Sequence, residues 1–360
     1  MNIESIYHYI YLAIVAILSI SVWQVYINRL DYRFDYGNRN RSFLIMVFFA
    51  LLIGLRPQSG AFVDMMNYKL HYEILFYGMP FEFSWDTENV IFDNYFRYLA
   101  SIKLDVSFFF FTIAIVYFGA AYLGIRRLFP NHTLAVYLMF LAAFSTYSYA
   151  TNGIKAGCAA SVFILALSYW NKLKICIPLM IITIGLHHSM KMPVAAFVIA
   201  YLIKNPKYFF YGWFTCLLLS IAHVTIFQEM FSSMAEDANG YLDTTSEEAG
   251  NEKSGLRIDF ILYSVMPILV GYVAIIKKKL SVSSTYRIIL YTYIVANSIW
   301  LLTMYASFTN RIAYLSWLMY PVVLAYPFLY EDWGQRKYQT FAKVMLAHLG
   351  FTLFIELIYY

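Results

Sequence analysis

The sequence predicts an all-α polytopic integral membrane protein of about 12 transmembrane helices, with an amphipathic helical outer loop between helices 2 and 3. Three observations lead there. Of 360 residues, 61% are hydrophobic and 20% aromatic, with 34 tyrosines and seven tryptophans to decorate two lipid–water interfaces. Only 13% are charged, about half the share of a soluble chain. Apolar runs also alternate with short basic connections along the whole length.

A span needs about 20 largely apolar residues, fewer when neighbours surround it. The runs fall at 6–27, 42–55, 106–125, 133–150, 154–170, 175–187, 192–203, 208–227, 258–276, 286–306, 311–330 and 341–358. The second and seventh are short for a full crossing. The first has no basic segment before it and is long enough to span, so it reads as a helix rather than a cleaved signal. Residues 56–105 form a long outer loop in which Asn89–Ser101 has an amphipathic pattern, giving one or two interfacial helices. Residues 228–257 form a second outer loop, acidic and rich in Gly, Ser and Thr, which reads as solvated chain. No internal repeat and no separate soluble domain is apparent, so residues 1–360 read as one transmembrane domain.

Orientation follows from lysine and arginine. With the N-terminus outside, the inner connections carry Arg29, Arg33, Arg39 and Arg41, then Arg126 and Arg127, Lys172 and Lys174, and Lys204 and Lys207. The last two inner connections carry Lys277, Lys278, Lys279 and Arg287, then Arg336, Lys337 and Lys343. Every inner loop is basic, as the positive-inside rule requires. Of the 21 acidic residues only Asp31, Asp35, Glu331 and Asp332 are inside. The net charge of +5 is therefore a topology signal and not a nucleic-acid signal. Cys158, Cys176 and Cys216 all lie in apolar runs and read as small core residues, not as a disulfide or metal set.

The polar residues with chemical potential gather on the outer face. Arg56 ends the second run, and Pro57 stops the helix. Its guanidinium can grip a phosphate through two bonds, or snorkel to the interface. Asp64 and Tyr68 follow with the spacing of one helical face. At Thr151-Asn152-Gly153-Ile154-Lys155, Gly153 permits a break between helices, and Asn152, a helix start and Lys155 can hold an anion. The other reading there is an outer turn. His187-His188-Ser189 closes the sixth run; a histidine there can act as general base or hydrogen-bond donor, or as a bonded core residue. Adjacent histidines face different ways on a helix, so no metal site is expected. Arg311 opens the eleventh run, followed by Tyr314. It reads as a buried arginine needing an anionic partner, which is a ligand phosphate, Asp64 or Asp259. Arg257 with Asp259 is either an interfacial anchor or a second anion contact. His71, Glu73, Asp86, Glu88 and Asp93 read as solvated loop residues. Inner-face nucleotide chemistry has no motif to support it.

Four strings taken together resemble the EpsG family of Wzy-like exopolysaccharide and O-antigen polymerases. They are Arg56-x-x-x-Gly60-x-x-x-Asp64-x-x-x-Tyr68, Asn152-Gly153-Ile154-Lys155, His187-x-Ser189 and Arg311-x-Ala313-Tyr314. Their order, spacing and shared face carry the resemblance, which covers about residues 40–330. Two departures stand out. Lys155-Ala156 replaces the family's usual Arg-Gln, which keeps the charge but loses bidentate geometry, and Pro57 directly follows Arg56.

The resemblance implies a reaction at the outer face of a bacterial inner (cytoplasmic) membrane. A growing glycan passes from its undecaprenyl-diphosphate-linked donor to a hydroxyl of another lipid-linked repeat unit. Arg56, Arg311 and Lys155 would neutralise the leaving diphosphate, and Asp64 or His187 would accept the hydroxyl proton. Tyr68, Asn152, His188, Ser189, Arg257 and Tyr314 would contact substrate. No cofactor or metal is expected. Partners would be the lipid-linked oligosaccharide, the bilayer, a flippase and a chain-length regulator, with no nucleic acid. The rival enzyme is a ligase moving finished glycan. The rival from another class is a flippase, which would place charges near the bilayer midplane. An acyltransferase would leave the cations without purpose.

Overall fold

The computed structural model describes residues 2–29, 39–78, 80–232, 255–306 and 309–359. Arg33, Asp31 and Asp35 of the first inner connection, and most of the acidic outer loop, lie outside the described residues. The described residues are mostly helical. In chain order they form α1 (Ile3–Ile27), α2 (Arg39–Gly54), α3 (Val63–Tyr77), α4 (Val90–Ser101) and α5 (Val106–Leu128). Then come α6 (Thr133–Leu141), α7 (Phe144–Thr151), α8 (Ile154–Ser168), α9 (Leu173–Leu186), α10 (Lys191–Leu202) and α11 (Pro206–Ile221). The last are α12 (Ile226–Ser232), α13 (Ile258–Tyr272), α14 (Ser284–Leu302), α15 (Thr309–Trp317), α16 (Tyr320–Tyr330) and α17 (Lys337–Phe354).

Each of the twelve apolar runs contains helix, but not each helix can cross a bilayer unaided. By length and composition, five described helices can: Ile3–Ile27, Val106–Leu128, Ile258–Lys277, Thr309–Tyr330 and Lys337–Ile358. A sixth arises if Thr133–Leu141 and Phe144–Thr151, bent by 70° at their junction, count as one. Twelve full-length spans are thus more than the helix lengths provide. Asn40–Gly54, Ile154–Ser168 and Leu173–Leu186 are apolar but short. α14 has 19 residues, yet Arg287, Thr292, Asn297 and Ser298 dilute its apolar character. Residues 56–105 hold two helices, α3 and α4. One side of α4 (Phe92, Phe96, Leu99, Ala100) is buried while Ile91 and Tyr98 are exposed.

The chain packs as two compact units, Met1–His187 with Tyr338–Tyr360, and His188–Lys337. In the first, α5 packs against α2 and α8. Gly124 makes the second contact close, because a Cβ there would sit 2.9 Å from the Ile164 backbone. At one end of this unit Tyr26 bonds His132 Nδ1 at 2.7 Å, and Arg127 donates to the Ser168 carbonyl at 2.9 Å while stacking on Tyr169. At the other end Tyr147 donates to the Glu4 carbonyl and Arg56 to the Thr151 carbonyl.

The bend between α6 and α7 exposes the last carbonyls of α6, and an apolar setting cannot leave such groups unmet. Side chains supply the missing donors. Tyr11 donates to Leu141 O (2.7 Å), Thr146 to Phe140 O (2.7 Å), Thr352 to Ala142 O (2.6 Å), and His348 Nε2 to Met139 O (2.9 Å). Two of the four come from α17, which explains why the last helix belongs to the first unit.

In the second unit α14 is central and packs on α10, α11 and α15. Its buried Asn297 accepts from Trp213 Nε1 (2.8 Å) and donates to Ser316 (3.1 Å). Trp317 Nε1 donates to Ser264 (2.7 Å), so the polar atoms buried here are joined across helices. Glu331, also buried, accepts from the Ser283 backbone and hydroxyl, and Ser283 caps α14.

Candidate functional site

Gly54 and Pro57 end α2 and turn the chain inward, so that Arg56 is only 4% exposed. Its guanidinium donates to the Ile53 and Thr151 carbonyls, each at 2.8 Å. It also lies over the rings of Phe62 (5.2 Å) and Phe110 (5.3 Å). No carboxylate among the described residues pairs with it, and its Nε has no hydrogen-bond partner. Burial lowers its pKa to about 10, against the opposing effect of Tyr147 and Tyr7, so it stays cationic at neutral pH. A buried, hydrogen-bonded cation without a counterion is poised for an anion.

Phe110 connects this cation to the next. Its ring contacts Tyr68 (6.4 Å), and Tyr68 in turn contacts Phe92 (6.1 Å), over which Lys155 Nζ lies at 5.3 Å. Tyr68 thus stands within the aromatic platform between the two cations, one helical turn from Asp64 on α3. Lys155 also pairs with Asp93 at 3.2 Å, and Asp93 in turn accepts the Asn89 backbone N–H. Lys155 sits in the first turn of α8, just after the break at Asn152-Gly153. Asn152 Oδ1 is buried without a hydrogen-bond partner. The break is tight: a Cβ on Gly157 would fall 2.5 Å from the Tyr149 carbonyl. His187 caps α9, whose last turn lies against α4 where Gly185 meets Ile91. Arg56, Asp64, Tyr68, Asn152, Lys155 and His187 therefore all belong to the first unit.

The remaining sequence candidates belong to the second. His188 and Ser189 are buried in a 3₁₀ turn (His188–Met190) that leads into α10, and Tyr314 is buried in α15. Arg257 and Asp259 form a two-bond ion pair (3.0 and 2.6 Å), with the guanidinium over Phe260 at 3.6 Å. Asp259 is thus engaged by its neighbour two residues away, and is not the partner expected for Arg311. Arg311 is not buried either. Thr309 accepts from Trp300 and fixes the start of α15, so Ile312 and Ala313 turn inward while Asn310 and Arg311 fall on the exposed side.

Some residues around Arg56 were not visible in the sequence. Asp93 reads there as a loop carboxylate, yet it is the partner of Lys155. Tyr7, Phe62, Phe110 and Tyr147 surround the guanidinium from α1, the loop before α3, α5 and α7. Beside Tyr147, His8 Nε2 pairs with Glu356 at 3.2 Å, joining positions far apart in the chain. Among the described residues, no three of His, Cys, Asp or Glu gather in a metal-binding set.

No curated protein and no solved structure matches the chain. The model of the EpsG family matches residues 41–360, which includes every candidate residue named from the sequence, and the chain therefore belongs to the EpsG family.

Proposed function

We propose that this chain polymerises oligosaccharide repeat units carried on undecaprenyl diphosphate, on the outer face of the bacterial inner membrane. In this reading all twelve apolar runs cross or enter the bilayer, the short ones sheltered by neighbours, with the N-terminus outside. The observation that carries the reading is the buried Arg56 guanidinium, which has carbonyl and aromatic neighbours but no carboxylate partner among the described residues. Family membership supports a role in exopolysaccharide polymerisation.

The leaving diphosphate would take the place of the missing counterion at Arg56. Its negative charge grows as the glycosidic bond breaks, so this contact strengthens toward the transition state. Lys155 would add a second charge by exchanging Asp93 for a phosphate oxygen, and Asn152 would contact the substrate at the α8 start. For the proton of the attacking hydroxyl the sequence offers Asp64 or His187 as acceptor. Tyr68 would hold a sugar ring or the platform beneath it. His188, Ser189, Arg257, Arg311 and Tyr314 are proposed as substrate contacts of the second unit. A flippase would deliver the repeat units and a chain-length regulator would limit the product. A ligase acting on the same lipid diphosphate is the nearest rival, and a flippase the rival of another class.

In cells, Arg56→Ala should abolish long polymer while single repeat units still reach the surface, and Arg311→Ala tests the second unit by the same readout. Normal-length polymer from Arg56→Ala at normal protein level would overturn the diphosphate clamp. Unchanged polymer extent with loss of its attachment to a final acceptor would favour the ligase.

A further inference from the structure

The pair formed by His8 and Glu356 lies outside every motif of the sequence. Nε2 of His8 stands 3.2 Å from a Glu356 oxygen, and the two side chains are 17% and 19% exposed. A carboxylate can only accept, so in the neutral imidazole Nε2 carries the proton and Nδ1 keeps its lone pair. Nδ1 has no hydrogen-bond partner among the described residues. The imidazole is also held flat. It stacks on Tyr147 with centroids 4.5 Å apart and planes at 21°, and Tyr147 is tied by its hydroxyl to the Glu4 carbonyl at 3.2 Å. Tyr147 lies within electrostatic reach of both Arg56 and Glu356, and Tyr7, the residue before His8, within that of Arg56. A histidine oriented by a carboxylate, its second nitrogen open, beside a buried cation lacking an anion, is the arrangement of a general base next to an anion site.

We propose that His8, positioned by Glu356, and neither Asp64 nor His187, is the general base for the hydroxyl that attacks the lipid-linked donor; this rests on the polymerase reading above. The acceptor hydroxyl oxygen forms a bond to the donor anomeric carbon and gives its proton to His8 Nδ1. The bond from that carbon to the diphosphate oxygen breaks, and its electron pair leaves on the diphosphate beside Arg56. The products are the extended glycan and free undecaprenyl diphosphate. The imidazolium, stabilised by Glu356, then returns its proton to water. His8 is the catalytic residue and Glu356 a positioning residue.

The test uses the full chain in proteoliposomes, with repeat-unit lipid extracted from a strain deleted for it, and undecaprenyl diphosphate as the binding probe. His8→Gln should lower kcat about 10²–10⁴-fold, with probe affinity and thermal midpoint unchanged. Glu356→Gln should lower kcat at least about tenfold, and Glu356→Asp should recover part of that loss. Wild-type kcat in His8→Gln overturns the inference alone. So does parallel loss of probe binding and thermal stability, which would make the pair structural. A wild type that does not extend the lipid overturns the polymerase reading and this inference with it.

Discussion

Replacing Arg56 by methionine separates what this residue contributes to folding from what it contributes to binding. Methionine keeps the unbranched apolar stem but removes the guanidinium, its charge and its place over Phe62 and Phe110. The lowering of the Arg56 pKa to about 10 by burial corresponds to about 3 kcal/mol of penalty on the charged form. Against this stand two charge-assisted bonds to the Ile53 and Thr151 carbonyls, about 1.5 kcal/mol each at the low end of their range. The two contributions nearly cancel, and the Thr151 carbonyl left unmet costs about 1–3 kcal/mol, so ligand-free Arg56→Met should unfold within about 3 kcal/mol of wild type. Undecaprenyl diphosphate tells the forms apart. At a hundredfold excess over Kd it should stabilise the wild type by about 2.7 kcal/mol and leave the variant almost unmoved. Thermal unfolding of the purified chain with and without the lipid measures both. Should the ligand-free variant lose more than about 4 kcal/mol while the lipid stabilises both forms equally, Arg56 is a structural residue and the anion-site reasoning fails.

Three further outcomes follow from other parts of the molecule. Gly157→Ala, whose Cβ would lie 2.5 Å from the Tyr149 carbonyl, should cost about 1–3 kcal/mol in thermal unfolding, whereas Gly212→Ala, with nothing within 4 Å, should be neutral or up to about 1 kcal/mol stabilising. Asp93→Asn releases Lys155 and should tighten undecaprenyl diphosphate binding severalfold; unchanged affinity would mean that Lys155 does not reach the ligand. In a background lacking Cys158, Cys176 and Cys216, a cysteine at Ser59 should react with an impermeant thiol reagent on intact cells and one at Asn205 should not; labelling at 205 reverses the orientation.

Helices were legible because apolar runs and basic connections mark them, and the break at Asn152-Gly153 was legible because glycine marks turns. Helix length was less legible. A run of apolar residues does not reveal that α6 and α7 bend apart after Leu141, with no proline or glycine at the junction, because donors from α1 and α17 stabilise that bend from afar. Arg56 stood out by its place after a short run, but its burial and its lack of a carboxylate partner among the described residues are properties of its neighbours. Arg311 misled for a local reason: the charge stood at a helix start, but the direction in which α15 turns its first residues depends on the Trp300–Thr309 bond. His8 and Glu356 carry no local signal at all, since each alone is an ordinary polar residue near the end of an apolar helix.

The donors that α17 provides to Met139 and Ala142 bear on how the protein is made. The carbonyls they satisfy are synthesised some two hundred residues before the donors themselves. Until the last helix inserts, the bend between α6 and α7 holds unmet carbonyls, each costing several kcal/mol in an apolar setting. The first unit therefore matures last. A chain halted before α17 presents a half-finished bend, which a membrane quality-control protease or chaperone can recognise, and Arg56 acquires its final neighbours on α7 only once α17 has been made.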